Sequence, residues 1–110
     1  MGSNRAVSSP VAKPACVYLL HFRDGSHYIG VTSIGVSNRL RRHVAGYGSS
    51  WVYRKALLVG PPEVGAIEWW PSMSSALNAE RRHKRHRAKL YSKCEVCRRL
   101  KYGEGEQSFS

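Results

Sequence analysis

The fold predicted by the sequence is α+β: a small three-stranded mixed β-sheet flanked by helices. Three observations lead there. Two short apolar stretches, residues 16–22 (CVYLLHF) and 27–32 (HYIGVT), flank an Arg-Asp-Gly turn signal. A third, residues 64–70 (VGAIEWW), stops at Pro71. The segments between and after them carry the spacing of amphipathic helices. The order hairpin, helix, strand, helix lacks the strict alternation of a parallel α/β sheet.

The chain has 110 residues, enough for one compact domain. Residues 1–14 contain serines, Pro10 and Pro14 without apolar periodicity, and residues 103–110 are Gly, Glu, Gln and Ser with one Phe. Both read as flexible ends around a domain over residues 15–102.

Residues 16–22 read as a strand because they are apolar, aromatic-rich and too short for a helix. Residues 27–32 form the returning strand of a hairpin. A two-residue turn would put Tyr18 and Tyr28 on opposite faces. A three-residue turn with Gly25 in a left-handed bulge pairs position 22 with 26, 20 with 28 and 18 with 30. Both tyrosines then share one face. Residues 36–45 form a helix, with Val36, Leu40 and Val44 as a narrow apolar stripe and Gly46 as its stop. Residues 47–50 are a Gly/Ser loop, and residues 51–58 fit either a helix or a strand. Gly60-Pro61-Pro62 breaks the chain before the third strand. Ser72 or Ser74 then caps a longer helix reaching to about residue 91, with Met73, Ala76, Leu77 and Glu80 on its stripe. Six cations follow on it: Arg81, Arg82, Lys84, Arg85, Arg87 and Lys89.

The net charge of +11 suits an anionic partner such as nucleic acid or a membrane surface. No run approaches the roughly 18 apolar residues of a membrane span, and the N-terminus has no apolar secretory core. These absences favour a cytoplasmic, reducing setting without membrane association. Three cysteines, Cys16, Cys94 and Cys97, are an odd count that argues against a disulfide framework.

The chemistry-bearing residues form an ordered set. Cys16-Val17-Tyr18 is followed by nine residues and then Tyr28-Ile29-Gly30. Arg39, with His43 one turn later, comes eleven residues after Tyr28. Gly48-Ser49-Ser50-Trp51 follows, and residues 76–84 (ALNAERRHK) carry Glu80. In this order and spacing, over residues 16–89, the sequence resembles the GIY-YIG endonuclease family. It departs from the family pattern at Cys16, where the family has Gly, and at Val17, where it has Ile. The Asn that the family often has near the end of the domain finds no counterpart after Asn78.

The resemblance implies a GIY-YIG nuclease-like fold and hydrolysis of DNA phosphodiester bonds. It implies catalytic roles for Tyr18, Tyr28, Arg39, His43 and Glu80. Either tyrosine would take the proton from water, Arg39 would grip the phosphate, and Glu80 would hold one divalent ion, Mg2+ or Mn2+. Independently of it, the helical period places Arg39 and His43 beside the apolar stripe. Glu80 falls on a stripe, where a carboxylate costs several kcal/mol unless paired, protonated or metal-bound. The candidate DNA contacts are Arg41, Arg42, Ser49, Arg81, Lys84, Arg85 and Arg87. Nothing obvious reads base edges, which leaves targeting to weak preference or to a protein partner. The bland alternative is a catalytically inactive nucleic-acid-binding module of the same fold.

His83, His86, Cys94 and Cys97 have zinc-ligand chemistry in the pattern H-x2-H-x7-C-x2-C. The plainer reading, two basic-helix histidines and two small thiols, is preferred. Trp51, Trp69 and Trp70 read as core or sheet cover, with Trp51 placed to touch DNA from its loop.

Overall fold

The computed structural model describes residues 13–46 and 48–103; the expected flexible ends fall largely outside this range. Strands β1 (Ala15–His21) and β2 (His27–Thr32) form the hairpin. Helices α1 (Val36–Val44) and α2 (Ser50–Val59) lead to β3 (Glu63–Trp70). Helices α3 (Met73–Arg85), α4 (Arg87–Tyr91) and α5 (Glu95–Arg98) follow, and a π-helical turn, Arg99–Gly103, ends the described chain.

The hairpin adopts the three-residue-turn register. Tyr18 pairs with Gly30, Leu20 with Tyr28 and His21 with His27. The Phe22 N–H donates to the Ser26 carbonyl at 2.9 Å, and Gly25 sits at φ 89°, a left-handed conformation that favours glycine. The strand order is β2-β1-β3 with both pairings antiparallel. The sheet is therefore antiparallel, not mixed. Strands β2 and β3 do run the same way, but β1 lies between them, so the crossover never pairs them.

Alternation along the buried central strand β1 builds two half-cores. On one face Cys16, Tyr18, Leu20 and Phe22 pack with Val36 of α1 and Val52 of α2. On the other, Val17 and Leu19 pack with Ala76 and Ala79 of α3, Leu90 of α4 and Val96 of α5. The ambiguous segment after the Gly/Ser loop is helical because Ser49 caps it, its side chain accepting from the Val52 N–H at 3.3 Å. Ser72 caps α3 in a reciprocal box with Ser75.

Two expectations are corrected. The inner line of α1 is Val36, Leu40 and His43; Val44 is 40% exposed. At about 100° per residue, position 43 lies about 20° from position 36 around the axis, whereas position 44 lies about 80° away. The long helix also breaks. His86 leaves helical geometry at φ −132°, ψ 62°, although no Gly or Pro marks the spot. Beyond the break Leu90 is buried and Tyr91 stacks on His27 at 4.4 Å, so packing overrides local propensity there.

Candidate active site

The site begins at Gly30. A Cβ there would lie 2.4 Å from the Tyr18 Cζ and Oη, so only glycine lets the Tyr18 ring lie across the neighbouring strand. That position brings the Tyr18 Oη to 2.8 Å from His43 Nε2. His43 is fully buried, and the opposite ring nitrogen, Nδ1, accepts the Ser49 backbone N–H at 3.1 Å. Gly48 makes room for that contact, because a Cβ there would fall 2.6 Å from Nδ1.

These contacts fix the imidazole. A backbone N–H can only donate, so Nδ1 is unprotonated and the ring proton sits on Nε2. Burial, then the nearby Arg39 cation, lowers the His43 pKa, which keeps the ring neutral. The Nε2–H therefore donates to the Tyr18 oxygen, and the phenolic proton of Tyr18 is left to point elsewhere. Burial pushes the Tyr18 pKa up to about 12, with Tyr28 raising it further, the Arg39 guanidinium lowering it and Glu80 raising it. Tyr18, Tyr28, Arg39, His43 and Glu80 thus act on one small region.

Tyr28 closes one side of it. Its ring lies edge-on to His43 at 5.5 Å and stacks on Trp51 at 6.0 Å. Trp51 also meets Phe22 edge-on at 5.6 Å, so it buttresses the site. Arg39 contributes an anomaly. Its Nε is buried and has no hydrogen-bond partner, the one such side-chain nitrogen or oxygen among the described residues. A buried donor without a partner costs about 1–3 kcal/mol. The Glu80 side chain is 16% exposed and pairs loosely with Lys84 at 3.4 Å.

A family model for the GIY-YIG catalytic domain matches residues 14–95. The chain belongs to the GIY-YIG family. The match runs through all five of these positions, and the domain it describes is a nuclease domain. No curated protein and no solved structure matches the chain.

The basic residues of this GIY-YIG domain fall into separate groups. Arg41 donates to Asn38, Arg42 is exposed, and Arg81 donates to Asn78 at 3.0 Å. The break at His86 divides the expected basic helix, so Lys84 and Arg85 lie on α3 and Arg87 on α4. Arg82 packs over Trp70 at 5.7 Å, and a groove runs between Trp70, Arg82, His86, Lys89 and Lys93. Ser49 holds His43 through its backbone and caps α2 through its side chain. Trp69 departs from the expectation of sheet cover: it is 62% exposed, on the sheet face that carries Tyr18.

The zinc alternative fails as drawn. His83 bonds to Glu68 at 2.9 Å, and His86 lines the basic groove. Cys94 and Cys97 instead meet His21 and His27, which the reading of the motif missed. The signal was available in the hairpin register, since the turn that sets Tyr18 opposite Gly30 also sets position 21 opposite position 27.

Proposed function

We propose that this chain is a metal-dependent DNA endonuclease that hydrolyses phosphodiester bonds at the Tyr18–His43–Arg39–Glu80 site. The observation that carries this reading is the gathering of the Arg39 guanidinium and the Glu80 carboxylate around the His43-bound Tyr18 hydroxyl. A cation and a carboxylate beside a positioned phenol supply the phosphate contact, the metal ligand and the proton acceptor that phosphodiester hydrolysis needs.

Tyr18 is the general base. Its oxygen already accepts the His43 N–H, so the phenolate that forms keeps a hydrogen bond and gains the Arg39 charge. Tyr18 then takes a proton from the attacking water. His43 stays neutral and holds the phenol in place. Arg39 binds a non-bridging phosphate oxygen and offsets the charge that builds up during in-line displacement. Tyr28 and Trp51 form an aromatic wall that keeps the reacting groups in register.

Glu80 fits a hard divalent cation such as Mg2+ or Mn2+, because its side chain is mostly buried and its partner Lys84 is long, exposed and loosely held. Such a cation, when bound, supplies charge neutralisation at the phosphate and the leaving oxygen. Water and phosphate oxygens would complete its coordination.

DNA as substrate is supported by the +11 charge and by the exposed cations Arg41, Arg42, Arg81 and Arg85. Conversion of supercoiled plasmid to nicked circles in Mg2+ or Mn2+ tests the reading. The parent protein nicks, and Arg39→Ala binds the plasmid without nicking. A parent that binds DNA but never cuts it, in either metal, would leave the silent binding module as the function.

A further inference from the structure

Four side chains converge on the sheet face opposite Tyr18. His21 and His27 face each other across the hairpin, and Cys94 and Cys97 flank the start of α5. The His21 Nδ1 lies 3.2 Å from His27 Nε2, 3.6 Å from Cys94 Sγ and 3.4 Å from Cys97 Sγ. Cys97 Sγ is 3.3 Å from His27 Nε2, and all four atoms lie within 4.8 Å of one another.

An ordinary hydrogen-bond network does not account for this. A ring nitrogen has one in-plane lobe, holding either a proton or a lone pair. The His21 Nδ1 has three partners at nearly equal distance, so the atoms are arranged around a common centre. That centre has definite dimensions. Zinc–nitrogen bonds of about 2.0–2.1 Å and zinc–sulfur bonds of about 2.3 Å give tetrahedral edges of about 3.3 Å between nitrogens and about 3.6 Å between nitrogen and sulfur. The observed edges of 3.2 Å and 3.3–3.6 Å match them.

The surroundings are built for it. At Gly65 the β1–β3 register skips a residue, and a Cβ there would lie 2.6 Å from Cys94 Sγ. The bulge glycine thus opens the space that the sulfur occupies. The Cys97 N–H points at Cys94 Sγ at 3.5 Å, a contact that suits a thiolate. His27 is held by its stack on Tyr91, and His21 and Cys94 are buried. Two soft sulfurs and two imidazoles select zinc over the hard cations that suit Glu80.

We infer that His21, His27, Cys94 and Cys97 bind one structural zinc ion that ties the β1–β2 hairpin to α5. All four positions are filled by protein, so none is left for a reacting water. The ion clamps the His21–His27 pair, and with it the register that sets Tyr18 against Gly30. The four-residue α5 is otherwise held by Val96, buried in the core against the sheet. Binding requires both thiols to lose their protons, and these pass to solvent.

The test uses the full chain purified under reducing conditions. Metal analysis is expected to find about one zinc per chain. Replacement by Co2+ is expected to give sulfur-to-cobalt charge-transfer absorption. Chelation is expected to lower the melting temperature by on the order of 10 °C. Cys97→Ser and His27→Asn, both at half-buried positions, should lose the metal. His83→Asn with His86→Asn should keep it, as should Arg39→Ala on the other face. Two results would each overturn the assignment. One is a well-folded parent that takes up neither zinc nor cobalt, including one with Cys94 and Cys97 joined in a disulfide. The other is a Cys97→Ser protein with full zinc content and an unchanged cobalt spectrum.

Discussion

His43 shows how one side chain's surroundings set the chemistry of another. Its proton sits on Nε2 because the Ser49 N–H occupies Nδ1, and that proton is given to Tyr18. The Tyr18 pKa, pushed up to about 12 chiefly by burial, predicts how activity responds to pH. As the proposed base, Tyr18 must be ionised to act, and it lies mostly protonated at neutral pH. The cleavage rate should therefore rise about tenfold per pH unit between about pH 7 and 9; a flat profile there would assign the proton to another group. Stability moves the opposite way. The folded pKa of about 12 exceeds the ordinary 10.0, so this contribution is complete below pH 10 and is lost as pH climbs towards 12. Arg39→Ala removes a buried donor with no partner. It should abolish nicking while the melting temperature stays level or rises, as read by a nicking assay and thermal melting on one preparation. The placement of Arg39 and Glu80 near the core was legible in the sequence, Arg39 beside one apolar stripe and Glu80 on another. The burial of His43 was not, because a four-residue repeat through Val44 looked better than the true line through position 43.

At the level of elements, the hairpin register was readable from Gly25 together with the family resemblance, which puts the two tyrosines on one face. The pairing of the third strand was not, since the order of strands depends on contacts remote in sequence. The helix break at His86 was equally hidden, with no Gly or Pro to announce it. The glycines of the site test this level. Gly30→Ala puts a methyl 2.4 Å from the Tyr18 ring. Overpacking of that kind costs about 1–3 kcal/mol, and here the ring must leave His43 to relieve it. Gly30→Ala should therefore lose most of its nicking activity with a modest fall in melting temperature. Normal activity would mean that the Tyr18–His43 bond does not matter.

For the molecule as a whole, the helices divide between the two faces of the sheet, with α3 also supplying Glu80 to the Tyr18 region. One face carries Tyr18 and His43 under α1 and α2, and the other carries the packing of α3 to α5 with the His21–Cys97 cluster. No helix among the described residues is long and apolar enough to cross a membrane. The positive charge was plain from composition, but its distribution was not. Arg82 goes to Trp70 and Lys84 to Glu80, so the cations do not form one continuous helical strip. Binding should still weaken steeply with salt, each phosphate contact adding about −0.9 to the slope of log affinity against log salt concentration. Fluorescence anisotropy on a labelled duplex at several salt concentrations measures it, and a slope near zero would remove DNA as the partner of this surface.

The central claim is that a nuclease site is assembled around Tyr18 with Glu80 as its metal ligand, and Glu80→Gln tests it most directly. The substitution keeps the shape of the side chain and removes the charge that holds the cation. Its only ion pair among the described residues is the loose one to exposed Lys84, worth less than about 1 kcal/mol, so the fold should be indifferent to the change. The measurement is the nicking rate in Mg2+, with DNA affinity and melting temperature read on the same preparation. The account predicts near-complete loss of cleavage, DNA binding retained or slightly tightened, and an unchanged melting temperature. Cleavage at more than about a tenth of the parent rate, a barrier difference of roughly 1.4 kcal/mol, would contradict it.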